Sequence, residues 1–167
     1  MTDTKLERNE AGAYLLDPIV VAGECVKGIT RYNGGWIKRI DEIDKSKTNG
    51  YSLVGEFVKA GIQWMTPGVY LDCSKGGSRK NVRYVYTVFV LCEDGTARAY
   101  NDNQITVEGR GGDWAVRLWP VIERALEEVR GEDNKLAVLL ARRAELEKAL
   151  AEVEAEIKVL KNKNEVI

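Results

Sequence analysis

The chain has 167 residues, 44% apolar and 31% charged, with a formal net charge of −1; this fits one folded domain plus an appendage and excludes a disordered chain or a global polyanion binder. Histidine is absent, which removes the commonest general acid–base group, the commonest metal ligand and the Ser/His and Cys/His nucleophile pairs. No apolar run approaches the roughly 18–20 residues that cross a bilayer, and the polar start MTDTKLERNE lacks a signal-peptide core, so a cytoplasmic protein without membrane contact is expected.

Residues 1–12 read as a mobile leader. A β-rich domain is predicted over 13–112, because turn marks recur at Asp17-Pro18, Asn33-Gly34-Gly35, Asn49-Gly50, Thr66-Pro67-Gly68, Gly76-Gly77 and Asp94-Gly95. Short stretches rich in Val, Ile, Tyr, Phe and Thr lie between them, as in a small antiparallel sheet or barrel. Residues 36–45, WIKRIDEIDK, fit either a helix (Trp36, Ile40, Ile43) or a strand. Strands are expected at 51–58 and 68–73. The clearest is 81–92, NVRYVYTVFVLC, which places Val82, Tyr84, Tyr86, Val88, Val90 and Cys92 on one face and Val85, Thr87, Phe89 and Leu91 on the other. Both faces are apolar in its second half, so it should be a central strand. The Asp94-Gly95 turn returns the chain along 96–100, and 105–108 forms a last short strand.

Cys25, Cys73 and Cys92 are odd in number, widely spaced and set among strand-like residues. They read as buried reduced thiols, with neither a disulfide framework nor a metal site.

At Asp113 the pattern changes. Asp113 is placed to cap a helix over 113–131 that packs on the sheet through Trp114, Leu118, Val121, Ile122 and Leu126, with Gly131 as its stop. Pro120 requires either a separate short turn over 114–119 or a kink. Asp133 then caps an oligomerising helix over 132–167. Its heptad a positions are Leu136, Arg143, Leu150, Ile157 and Asn164, and its d positions Leu139, Leu146, Val153 and Leu160. A seam of about four heptads predicts a coiled coil; the alternative is an intramolecular hairpin in which the stripe packs on helix 114–130 across a turn at Gly131. The fold class is therefore α+β: a small antiparallel sheet or barrel followed by C-terminal helices, the last coiled-coil-like.

Two segments have anion-binding character. The loop Ser74–Asn81 carries Lys75, Arg79 and Lys80, continues into Arg83 and Tyr84, and contains no acid between Asp72 and Glu93. Glycine amides there can approach a phosphate, the cations can clamp it, and Tyr84 and Tyr86 can stack a base if their faces are open. The second segment, Glu108–Asp113, offers Arg110 at a strand-to-helix junction. A plain hairpin tip and a plain helix cap are the competing structural readings. The acids Asp41, Glu42 and Asp44 read as solvated, and no catalytic residue is nominated.

These features predict a non-enzymatic oligomeric binding protein that captures a nucleotide or nucleic acid, needs no cofactor or metal, and self-associates through its C-terminal helix. An adaptor or inhibitor acting through the helices is the alternative; an enzyme using carboxylate or lysine chemistry ranks below both. The layout resembles in style phage-encoded accessory proteins, which implies an accessory or anti-defence role.

Overall fold

A computed structural model describes residues 6–25, 32–78, 80, 82–100, 105–108 and 113–165. These residues form antiparallel sheets followed by one long C-terminal helix, an α+β arrangement. The strands are β1 (Tyr14–Leu16), β2 (Tyr32–Ile40), β3 (Glu42–Ile43), β4 (Leu53–Val54), β5 (Phe57–Val58), β6 (Gln63–Met65), β7 (Gly68–Gly77), β8 (Val82–Leu91), β9 (Ala97–Ala99) and β10 (Ile105–Glu108). The helices are α1 (Pro18–Cys25) and α2 (Trp114–Glu165). The main sheet runs β10-β8-β7-β2-β5, with β9 also on β8; β1 pairs β6, and β3 pairs β4. Its ends do not join, so the sheet is open and the barrel form is not adopted.

The β7–β8 hairpin is the centre, paired continuously from Gly68↔Leu91 to Gly77↔Val82. Period-two alternation sorts its side chains into two cores. Val69, Leu71, Cys73, Tyr86, Val88 and Val90 pack with Ala115, Leu118, Val121, Ile122 and Ala125 of α2. On the opposite face, Tyr70, Phe89 and Leu91 pack with Val21 and Ala22 of α1 and with Met65. The two-sided burial expected of 81–92 is present from Tyr86 to Leu91. The turn after β8 is also as expected: Gly95 has φ 85°, and Asp94 accepts hydrogen bonds from the amide and hydroxyl of Thr96.

Several segments differ from the sequence expectation. Of the two readings open for 36–45 the strand one holds over most of it: residues 36–40 end β2, Glu42–Ile43 is β3, and Lys45 begins a turn. Asp17-Pro18 is a helix start: Asp17 accepts from the Ile19 amide at 2.9 Å and Pro18 opens α1, where a missing N–H costs nothing. The 51–58 stretch is a 3-10 turn at Gly50–Ser52 followed by two two-residue strands. Gly55 interrupts it, because a Cβ there would lie 1.7 Å from the Arg39 carbonyl oxygen. Within 1–12, residues 6–12 are described, and Arg8 pairs with Glu93 at 2.6 Å.

The expected stop at Gly131 and cap at Asp133 do not occur, because α2 continues through both. Mid-helix glycine costs only about 1 kcal/mol, less than leaving a turn's worth of carbonyls without partners. Pro120 is likewise inside α2, with its ring exposed, and no separate turn precedes it. The chain divides into a unit ending at Val129 and a second unit, Arg130–Ile167. The second is helical, and its described side chains are exposed. No helix among the described residues is long and apolar enough to cross a membrane.

Cys73 is fully buried, Cys25 and Cys92 are half-buried, and all three are thiols outside any disulfide. Cys25 is the last residue of helix α1 and not part of a strand, although it packs against the strand residues of the α1-side core. Burial, aided by the nearby Glu24 and Cys92, pushes the Cys25 thiol up to about 11 from 9.0.

Two measurements test these placements. At pH 8, where thiolate is the reactive form, Cys25 and Cys73 should label about a hundredfold slower in the native chain than in urea; rapid native labelling of either contradicts its burial. Gly131→Ala should raise amide-exchange protection around residues 128–135 about fivefold, whereas Gly55→Ala should lower the unfolding free energy by at least ~3 kcal/mol in urea titration.

Candidate aromatic cleft

Strand β2 places Trp36 and Lys38 on one face because they are two residues apart. That face meets the start of α2, and there an aromatic cluster forms. Tyr86 stacks on Trp114 with ring centroids 4.2 Å apart and planes 8° apart. Trp36 lies beside both, at 6.1 Å from Tyr86 and 6.2 Å from Trp114, and meets Phe57 edge-on at 5.5 Å. The three Trp36 spacings lie in the roughly 4.5–7 Å range of favourable ring pairs, and the Tyr86–Trp114 stack is slightly closer.

Above the cluster is a cleft of about 280 Å³ lined by Trp36, Lys38, Gly50, Tyr51, Leu53, Phe57 and Trp114. Leu53 is buried, while Tyr51 and Phe57 are 77% and 66% exposed, so its rim is open aromatic surface. Asn49 fixes the Tyr51 end by accepting the Tyr51 amide hydrogen at 3.1 Å. Gly50 keeps the wall thin: an added Cβ would approach the Trp114 ring to 3.1 Å. The volume lies just below the range of small-molecule pockets, roughly 300–1,000 Å³.

Lys38 is the charged side chain among the described residues that line this cleft. Its ammonium lies 5.0 Å from the Phe57 ring centroid, a cation–π arrangement. Partial burial lowers its pKa from the ordinary lysine value, since a desolvated ammonium lacks full hydration. A planar ring can stack on such walls, and an anionic group can restore a counter-charge to Lys38. A cationic ligand meets like-charge repulsion.

The residues singled out from sequence lie elsewhere. Lys75 and Tyr84 are directly opposed across β7 and β8. The Tyr84 ring is half-buried against the α2-side core, and Tyr86 is buried beneath Trp114. Lys80 and Arg83 are exposed. Arg79 and Arg110 lie outside the described residues. The described residues Ser78 and Lys80 fall between the ends of β7 and β8. Among the acids, Asp44 is held below the usual carboxylate range by hydrogen bonds from Ser46, and Asp41 meets Arg39 at 3.3 Å. The cleft residues were available only through the strand reading of 36–45, which sets Trp36 and Lys38 side by side, and through the exposed tyrosine of the Asn49-Gly50-Tyr51 turn.

No protein family, curated protein or solved structure matches the chain.

Proposed function

We propose that this chain is a non-enzymatic binding protein that captures a phosphate-bearing ligand of mononucleotide size in the aromatic cleft. The observation that carries this is the open ring of Trp36, Tyr51, Phe57 and Trp114 around the partly desolvated Lys38. Aromatic faces supply stacking worth about 1–3 kcal/mol per base. The ammonium supplies a charge-assisted hydrogen bond to a phosphate oxygen, stronger than a neutral one. One base of a nucleic-acid strand offers the same chemistry, so oligonucleotides belong to the same ligand class. Binding without turnover fits a site whose only titratable lining groups among the described residues are Lys38 and Tyr51.

Calorimetric titration with the four ribonucleoside monophosphates, their nucleosides and a short oligonucleotide tests the proposal. At least one nucleotide should bind, more tightly than its nucleoside, and be recovered unchanged. Tyr51→Ala should weaken it about 5- to 150-fold with little effect on folding, because the side chain is exposed. Lys38→Met should abolish the preference for nucleotide over nucleoside.

The pH dependence has a defined sign. Protonated Lys38 is the binding form, and its pKa is lowered, so nucleotide affinity should fall as pH rises, beginning below the ordinary lysine value. Replacing Arg79 and Lys80 together by alanine should leave affinity unchanged. A nucleotide lost from that double variant but retained by Tyr51→Ala would move the site to the hairpin tip and sink the cleft proposal, as would an absence of binding at millimolar ligand.

A further inference from the structure

The second unit, Arg130–Ile167, presents an unpartnered apolar stripe on a single helix. Leu136, Leu139, Leu146, Leu150, Val153, Ile157 and Leu160 are all between 43% and 60% exposed, and they repeat at a and d of a heptad. A lone helix with this stripe gains its stability by burying it against another helix. We infer that the occupant is a second copy of this chain, aligned parallel and in register as a two-stranded coiled coil.

Charge complementarity selects that occupant. In the parallel alignment each g residue faces the e residue of the partner's next heptad. Arg142 then faces Glu147 and Glu156 faces Lys161, each pair occurring twice by symmetry. The remaining g positions in this span set Lys135 toward Leu140 and Ala149 toward Glu154, so like charges meet in one layer alone, where Arg143 at a faces its own copy.

The antiparallel alignment that keeps every layer filled stacks Leu136 on Leu160 and Leu146 on Leu150. It keeps Arg142 beside Glu156 and Lys161 beside Asp133 but sets Glu147 against its own copy and Lys135 against Lys163, and like charges facing each other across a seam destabilise it. The strand number follows from the same positions. Apart from Leu140 and Ala149, the e and g residues from 140 to 163 are charged, which keeps the apolar seam two positions wide. Arg143 and Asn164 at a add polar interruptions that favour a defined register over a larger bundle. Arg143 is held at the seam's edge by its own Glu147, Nε to Oε1 at 2.8 Å.

Sedimentation equilibrium on the full chain should give twice the 18.7 kDa monomer mass at micromolar concentration. Glu156→Lys and Lys161→Glu should each weaken the dimer roughly tenfold to thirtyfold at low salt, because two attractive pairs become repulsive. The double swap should return the dissociation constant to within about threefold of wild type. An antiparallel pair predicts the opposite: the double swap sets the introduced lysine against Arg142 and the introduced glutamate against Asp133, and dimerisation falls below either single variant. Circular dichroism on each variant separates lost association from lost helix.

A monomeric wild type at about 100 μM, a trimeric or tetrameric mass, or a double swap weaker than the singles would each overturn the inference. A monomer leaves the stripe to a different protein. Each of these outcomes is independent of nucleotide binding, which is read at residues 36–114.

Discussion

Everything in the first unit depends on the β7–β8 ladder being covered on both sides. From Tyr86 to Leu91 every residue of β8 is buried, and its apolar side chains alternate between two cores. A strand with that pattern is unstable with either face in water, since each large apolar side chain exposed forfeits about 1.5–3 kcal/mol. Hence α1 and the first turns of α2 are obligatory cover for the hairpin. Their small residues suit that role, since Ala22, Ala115 and Ala125 are essentially fully buried and let the helix backbones approach the sheet closely.

Polar contacts then fix how the start of α2 lies on the sheet. Trp119 donates its indole N–H to Ser52 at 3.1 Å, Lys45 pairs with Glu123, and Glu128 receives both Arg98 and the Tyr100 hydroxyl. The stacked Trp114–Tyr86 pair closes the end of this contact. Trp114, the first residue of α2, lines the cleft beside Gly50, whose missing side chain leaves room against the Trp114 ring.

The parts of this fold legible in the sequence are those governed by short-range periodicity. The central strand, the Asp94-Gly95 turn and the apolar stripe of Trp114, Leu118, Val121, Ile122 and Leu126 follow from local alternation and turn chemistry. What escaped was decided at longer range. WIKRIDEIDK satisfies helical and extended spacing alike, and pairing of Trp36 with Cys73 and of Ile37 with Asp72 settles it as strand. Gly55 breaks the 51–58 strand because of a backbone 16 residues earlier in the chain, at Arg39. The cleft is hidden for the same reason: Trp36, the Tyr51–Phe57 stretch and Trp114 are far apart in sequence, and the two tryptophans each read alone as core. The basic excess at Arg79 and Lys80, by contrast, is visible without knowing the fold.

Helix α2 carries two apolar patterns along one continuous backbone. Its first part buries Ala115, Leu118, Val121, Ile122 and Ala125, a broad stripe mixing small and large side chains that suits a flat sheet. From Leu136 onward the stripe narrows to alternating steps of three and four, with large aliphatics at nearly every position, which suits another helix. Had Gly131 ended the first helix, four carbonyls would need new partners and the second helix would bear its own nucleation cost. Helix-favouring Glu, Arg, Lys and Leu on both sides make propagation through Gly131 the lower-energy path. Continuity therefore follows from local thermodynamics, and the change of stripe width marks where sheet-covering residues give way to helix-pairing ones.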